Sequence, residues 1–266
     1  MDRVEVVPGL EPALLELVVA RLRELEPSAV AVLVEGSYAR GTADEFSDLD
    51  VRVVVPNETS GPYRMWFEER PGGKLLHVSP GVRSFESWLA ERDETWDWAL
   101  GFPVLNEVRY AWATEEARTL LGDPPSYIQP RRPPQLEVFV ESLAKAGRAS
   151  KRGDGKSIRL FARNAALLAP RLLGSINETV VIRNRREALD AALSFRIAPE
   201  HYREDASVCL GLVPADDDAV RGAAFRLGRE LLAFLRERRP DVDPQPDIAQ
   251  YLADGTLERH LGFSTD

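Results

Sequence analysis

"VEGSYARGTADEFSDLDVRVVV", residues 34–55, sets two aspartates one residue apart, Asp48 and Asp50, immediately before a run of valines. Ten residues separate Asp48 from the pair Gly36–Ser37. "LDVRVVV" reads as a strand closed by Pro56 and Asn57, and "SAVAVLVE" as an earlier strand bounded by Pro27 and Gly36. Side chains two apart on a strand share a face, so both carboxylates emerge side by side. Two unpaired like charges beside a buried strand are costly, and a divalent cation relieves that cost. Mg²⁺ prefers oxygen ligands, taken from one or two carboxylates and substrate phosphates. The Gly-Ser pair is expected to open a short helix or turn. Its backbone N–H groups and the Ser37 hydroxyl can hold phosphate oxygens. Gly36 lets a phosphate come close to the backbone.

Outward from this stretch, residues 10–26 show an amphipathic helix, with Leu14, Leu15, Val18, Val19, Leu22 and Leu25 at helical spacing. "YRMWFEERPGGKLLHVSP", residues 63–80, reads as a hairpin turned by Arg-Pro-Gly-Gly, and "EVRYAWA" as a fifth strand. Trp88, Trp96 and Trp98 read as core or domain-interface packing. The five prolines of "GDPPSYIQPRRPPQ", residues 122–135, exclude regular helix and central strand. Beyond them four segments, starting near residues 134, 156, 185 and 216, show a period near 3.6. The fold class is therefore α+β: a mixed sheet with flanking helices over residues 1–125, then an all-helical bundle over 126–266.

Gly36-Ser37, ten residues, then Asp48-Leu49-Asp50 on the next strand resembles the signature of the DNA-polymerase-β-type nucleotidyltransferase superfamily. "GSYARG" resembles the form seen in its small-molecule and minimal branches, and the two-part layout resembles the aminoglycoside nucleotidyltransferases. That resemblance implies Asp48 and Asp50 as ligands of Mg²⁺, one ion or a pair, and Gly36, Ser37 and Arg40 as nucleotide-binding residues. It implies ATP or another NTP as donor of a nucleoside monophosphate, most simply AMP. The receiver is a hydroxyl on a small acceptor bound by the helical half.

Family members normally bring a third carboxylate from a later strand. The matching position here is His77. Histidine suits Mg²⁺ poorly, yet it can take a proton from a hydroxyl near neutral pH; a core histidine is the plain alternative. Glu68 and Glu69 on the other hairpin arm are alternative acids. Glu137 and Glu141, four apart on the first helix of the second half, share a face that can serve an amine-rich acceptor or simply meet solvent. "SKRGDGKS" ends like a Walker A loop, but Ser150 stands at the first glycine position and the preceding segment reads as helix. Lys151, Arg152 and Lys156 are thus a basic loop able to face a triphosphate.

Composition narrows the classes. A net charge of −9 argues against nucleic acid as the main partner and is compatible with a cationic small molecule. Three scattered histidines and the single Cys209 offer no zinc spacing and no disulfide framework. No apolar run is long enough to span a bilayer and the start lacks a secretory pattern, so a cytoplasmic protein is expected. Two rival readings remain: a nucleotide-binding regulator with impaired catalysis, and a protein-AMPylating enzyme of antitoxin type.

Overall fold

The computed structural model describes residues 4–57, 65–123, 125–239, 241–243 and 245–263. Tyr63 and Arg64, the start of the expected hairpin, lie outside them. The chain divides into two compact units, Met1–Glu94 with Leu105–Pro130, and Thr95–Val104 with Arg131–Asp266.

The first unit runs α1 (Pro12–Leu25), β1 (Ala31–Val34), α2 (Gly36–Arg40), β2 (Leu49–Val55), β3 (Trp66–Glu69), β4 (Leu75–Ser84) and α3 (Phe85–Glu91). The chain then continues through β5 (Val104–Asn106), β6 (Arg109–Ala113), α4 (Glu115–Leu121) and β7 (Tyr127–Gln129). Pro12 starts α1, where its missing N–H costs nothing. Leu14, Leu15, Val18, Val19 and Leu22 are buried, as their spacing requires, but Leu25 is exposed. It is the last helical residue: Glu26 precedes Pro27 and has left the helical region, which proline disfavours for the residue before it.

Five strands form a mixed sheet in the order β3-β4-β2-β1-β6. β2 pairs antiparallel with β1 and parallel with β4, and β3 pairs antiparallel with β4 as the hairpin pattern requires. Both sheet faces are covered. Leu49, Val51, Val53 and Val55 join α1 in one core, and Val54 joins Trp88, Tyr110 and Tyr127 in another. On β2 the two residues that share the Val54 face are Asp50 and Arg52, so the strand places charge on one side only near its N-terminal end.

The second unit is helical: a 3₁₀ turn at Asp97–Ala99, then α5 (Leu136–Lys151), α6 (Gly155–Leu173), α7 (Arg185–Ala192), α8 (Tyr202–Leu210), α9 (Asp217–Arg238), α10 (Pro246–Ala253) and α11 (Thr256–Leu261). Leu136, Phe139 and Leu143 of α5 pack with Leu227, Leu231 and Leu235 of α9. Ala162, Ala165, Ala166 and Ala169 keep one face of α6 small, which lets neighbouring helices approach closely. Trp96 and Trp98 pack against the satellite cluster of Phe102 and Ile182, whereas Trp88 is fully buried in the first unit. No helix among the described residues is long and apolar enough to cross a membrane.

Candidate active site

The antiparallel pairing of β1 with β2 brings Gly36–Ser37 to the carboxylates. Val34 faces Val51 in the ladder, and Glu35 N–H donates to Asp50 O at 3.0 Å. The chain then turns at Gly36, which has φ +69°. A Cβ there would lie 2.7 Å from Asp50 Oδ2, closer than side-chain carbons come, so glycine is required by both conformation and space. Ser37 and Arg40, both half-buried, follow on α2, and among the described residues Arg40 has no ion-pair partner. The loop back to β2 is stiffened by Asp44, whose Oδ1 accepts from Phe46 N–H at 2.9 Å and from the Ser47 hydroxyl at 3.0 Å. The Phe46 bond is the main reason its carboxyl lies below the usual range.

Asp48 stands one residue ahead of β2 and is half exposed, while Asp50 is on the strand and partly buried. The Asp50 carboxyl is pushed up to about 6, by burial first and then by the negative charges of Asp48 and Glu35; Arg52 and His77 oppose the shift less strongly. An under-compensated carboxylate pair fits a divalent cation whose remaining ligands come from substrate and water. It is not a complete protein cage: among the described residues no three His, Cys, Asp or Glu side chains gather as a metal-binding group.

β4 supplies His77 beside this pair. In the parallel ladder Leu49 faces Val78 and Asp50 faces Ser79, and His77 Nδ1 lies 3.9 Å from Asp48 Oδ2. Leu76 and Val78 point to the α1 core, so His77 is on the carboxylate face and is not a core histidine. Its Nε2 lies 3.0 Å from Met65 Sδ, a group that only accepts. Of the two alternative acids, Glu68 is taken up by Arg21 at 2.8 Å and Trp66 Nε1 at 2.6 Å, whereas Glu69 is exposed.

An ion-pair chain lies beside Asp50 that the sequence reading did not single out. Arg52 bridges Glu35 at 3.3 Å and Glu91 at 3.2 Å, and Glu91 also bonds Arg83. Gly81 makes room for it, since a Cβ there would meet Arg52 Nη1 at 3.0 Å. Glu35 Oε1 is buried and accepts no hydrogen bond among the described residues. Strand alternation from Asp50 points to Arg52. Glu91 had no signal, because it reaches the site only through the packing of α3.

In the second unit Glu137 and Glu141 are exposed, and Glu141 pairs with Lys145 at 2.8 Å. α5 continues through Lys151, which removes the Walker-like loop, and Lys151, Arg152 and Lys156 are all exposed.

No curated protein matches the chain. Residues 15–119, which carry the Gly-Ser turn, both aspartates and His77, match the family model described as a nucleotidyltransferase domain. Residues 135–235 match the one described as a nucleotidyltransferase substrate-binding domain. Together the two matches span more than three quarters of the chain, in the order expected of proteins resembling the aminoglycoside nucleotidyltransferases. The chain belongs to the nucleotidyltransferase superfamily.

Proposed function

We propose that this protein transfers AMP from ATP to a hydroxyl group of a small, amine-bearing acceptor of the aminoglycoside type. The observation that carries the reading is the Asp50 carboxyl, raised to about 6 by burial, Asp48 and Glu35, directly under the Gly36 turn. A carboxylate short of compensating charge within the protein supports a bound cation as its partner. Bound Mg²⁺ would supply charge to offset that developing on the transferred phosphoryl group.

The order of the chain's own groups in space supports one set of roles. Asp48 and Asp50 would hold the cation. Ser37, the N–H groups that open α2, and Arg40 hold the triphosphate. His77 Nδ1 takes the proton of the acceptor hydroxyl, whose oxygen forms a new bond to the α-phosphorus. The bond from that phosphorus to the bridging oxygen breaks, and pyrophosphate leaves with the electron pair. The acidic overall balance favours an ammonium-bearing acceptor, and the substrate-binding-domain match favours a small acceptor over a protein.

Pyrophosphate release measured with each of four NTPs against a panel of hydroxylated amines tests the reading. ATP with at least one amine is expected to release pyrophosphate and give an acceptor heavier by one AMP. Tight ATP binding with no release from any pair would instead favour a nucleotide-binding regulator, the reading that His77 in place of an acid keeps in play.

A further inference from the structure

On the edge strand β3, Trp66 turns toward the α1 core, and Phe67 therefore faces the other way. Phe67 is 55% exposed and stacks on His77, with ring centroids 5.2 Å apart and planes 29° from parallel. Met65, 61% exposed, touches the far edge of the same imidazole. A lone exposed apolar side chain is ordinary. Here two of them are joined through a histidine that lies 3.9 Å from Asp48. Leaving both exposed against His77 beside a charged site gives up core packing without a structural return.

Strand order says what the platform faces. Across the sheet, from β1 to β3, come the Gly36–Ser37 turn, the carboxylates of β2, His77 on β4 and Phe67 on β3. In phosphoryl transfer the incoming oxygen and the leaving group are roughly in line. With the leaving pyrophosphate held on the β1 side, the acceptor must arrive from the β4–β3 side. Glu69 shares the Phe67 face and has no ion-pair partner among the described residues.

We propose that Phe67, stacked on His77, and Met65, at the edge of its ring, form the acceptor subsite of the first unit, receiving the C–H face of a hydroxylated, ammonium-bearing ring. The proposal rests on the transfer reading above. The ring's carbons lie on the aromatic face, its ammonium groups meet the π-cloud and Glu69, and one hydroxyl is directed at His77 Nδ1.

Kanamycin A serves as the probe, bound calorimetrically to the full-length protein with Mg²⁺ and α,β-methylene-ATP, alongside turnover with ATP. Phe67→Ala is expected to raise both the Kd and the KM for kanamycin A about fivefold to tenfold. The Kd for α,β-methylene-ATP should be unchanged, and Phe67→Trp should restore the acceptor values. Phe67→Leu keeps apolar bulk on the edge strand and should melt like wild type while showing the same affinity loss. Unchanged kanamycin A affinity in Phe67→Ala and Phe67→Leu overturns the proposal. So does an equal loss of nucleotide affinity, which would make the platform a base-stacking surface. A wild-type dimer that Phe67→Ala dissolves would make it a chain–chain contact instead. Wild type that binds no kanamycin A overturns the ammonium-bearing ring as occupant. Wild type that binds both ligands but transfers nothing defeats the transfer reading and leaves the platform standing.

Discussion

Asp50 in the sheet unit and Asp205 in the helical unit both sit against hydrophobic cores, and burial raises both carboxyls; they differ in the cation that answers the charge. Asp205 is fully buried, yet Arg226 grips it at both oxygens, Nε to Oδ2 at 2.9 Å and Nη2 to Oδ1 at 2.5 Å. Asp50 is only partly buried, but its neighbours include Asp48 and Glu35, and the nearby guanidinium of Arg52 is engaged by Glu35 and Glu91. A bidentate arginine is the geometry that offsets desolvation within the protein itself. Leaving a carboxylate among like charges is tolerable when a ligand completes the site. Burial and neighbouring like charge raise both carboxyls and so do not separate them; the direct arginine grip on Asp205, which Asp50 lacks among the described residues, does.

The sharpest contrast comes from neutralising each residue. Asp48→Asn or Asp50→Asn is expected to cut nucleotidyl transfer about a thousandfold. The fold should melt at or above the wild-type temperature, because a like charge has been removed. Pyrophosphate release and thermal melting read the two effects together, and near wild-type turnover with Mg²⁺ would end the metal-site reading.

Asp205→Asn should do the reverse. Nucleotide affinity is expected to hold while stability falls by about 2 kcal/mol, less than for a fully enclosed pair because Arg226 remains 37% exposed. Denaturant titration measures it. A variant as stable as wild type would erase the distinction between the two aspartates.

Ser37→Ala and Arg40→Ala bear on the ligand side of the same comparison. Each is expected to weaken binding of a non-hydrolysable ATP analogue about tenfold while leaving acceptor binding alone. Unchanged calorimetric affinity in both variants would place the phosphates elsewhere.

The smallest expected effect is a pH dependence. The folded Asp50 carboxyl, at about 6, lies above the unfolded value of about 3.9. Between those values the folded state holds the Asp50 proton more tightly than the unfolded state, so the Asp50 contribution to metal-free stability is greatest below about pH 4 and declines as pH rises through about 6. Melting in EDTA across this range should show an extra decline in wild type that Asp50→Asn lacks. Parallel curves would mean that the carboxyl is not raised.

Much of this arrangement was legible in the sequence because it rests on local periodicity. The 3.6 spacing from Leu14 to Leu22 placed α1, and Arg-Pro-Gly-Gly marked the turn between β3 and β4. Alternation along β4 put His77 on the face opposite Leu76 and Val78. What escaped depends on packing between distant segments. Glu68 and Glu69 looked equivalent until the phase of β3 sent Glu68 to Arg21. The Glu35–Arg52–Glu91 chain needs α3 to fold back onto β2. α8, α10 and α11 were not among the periodic segments, and Thr95–Val104 joins the helical unit although it precedes the proline-rich stretch.

The central claim, that Asp48 and Asp50 form an incomplete cation site finished by a nucleotide, is tested most directly by one calorimetric comparison. α,β-Methylene-ATP is titrated into wild type, Asp48→Asn and Asp50→Asn, each with and without Mg²⁺. The expected result is Mg²⁺-dependent binding in wild type that is lost in both variants. Wild-type binding indifferent to Mg²⁺, or the same Mg²⁺ dependence in both variants, would contradict it.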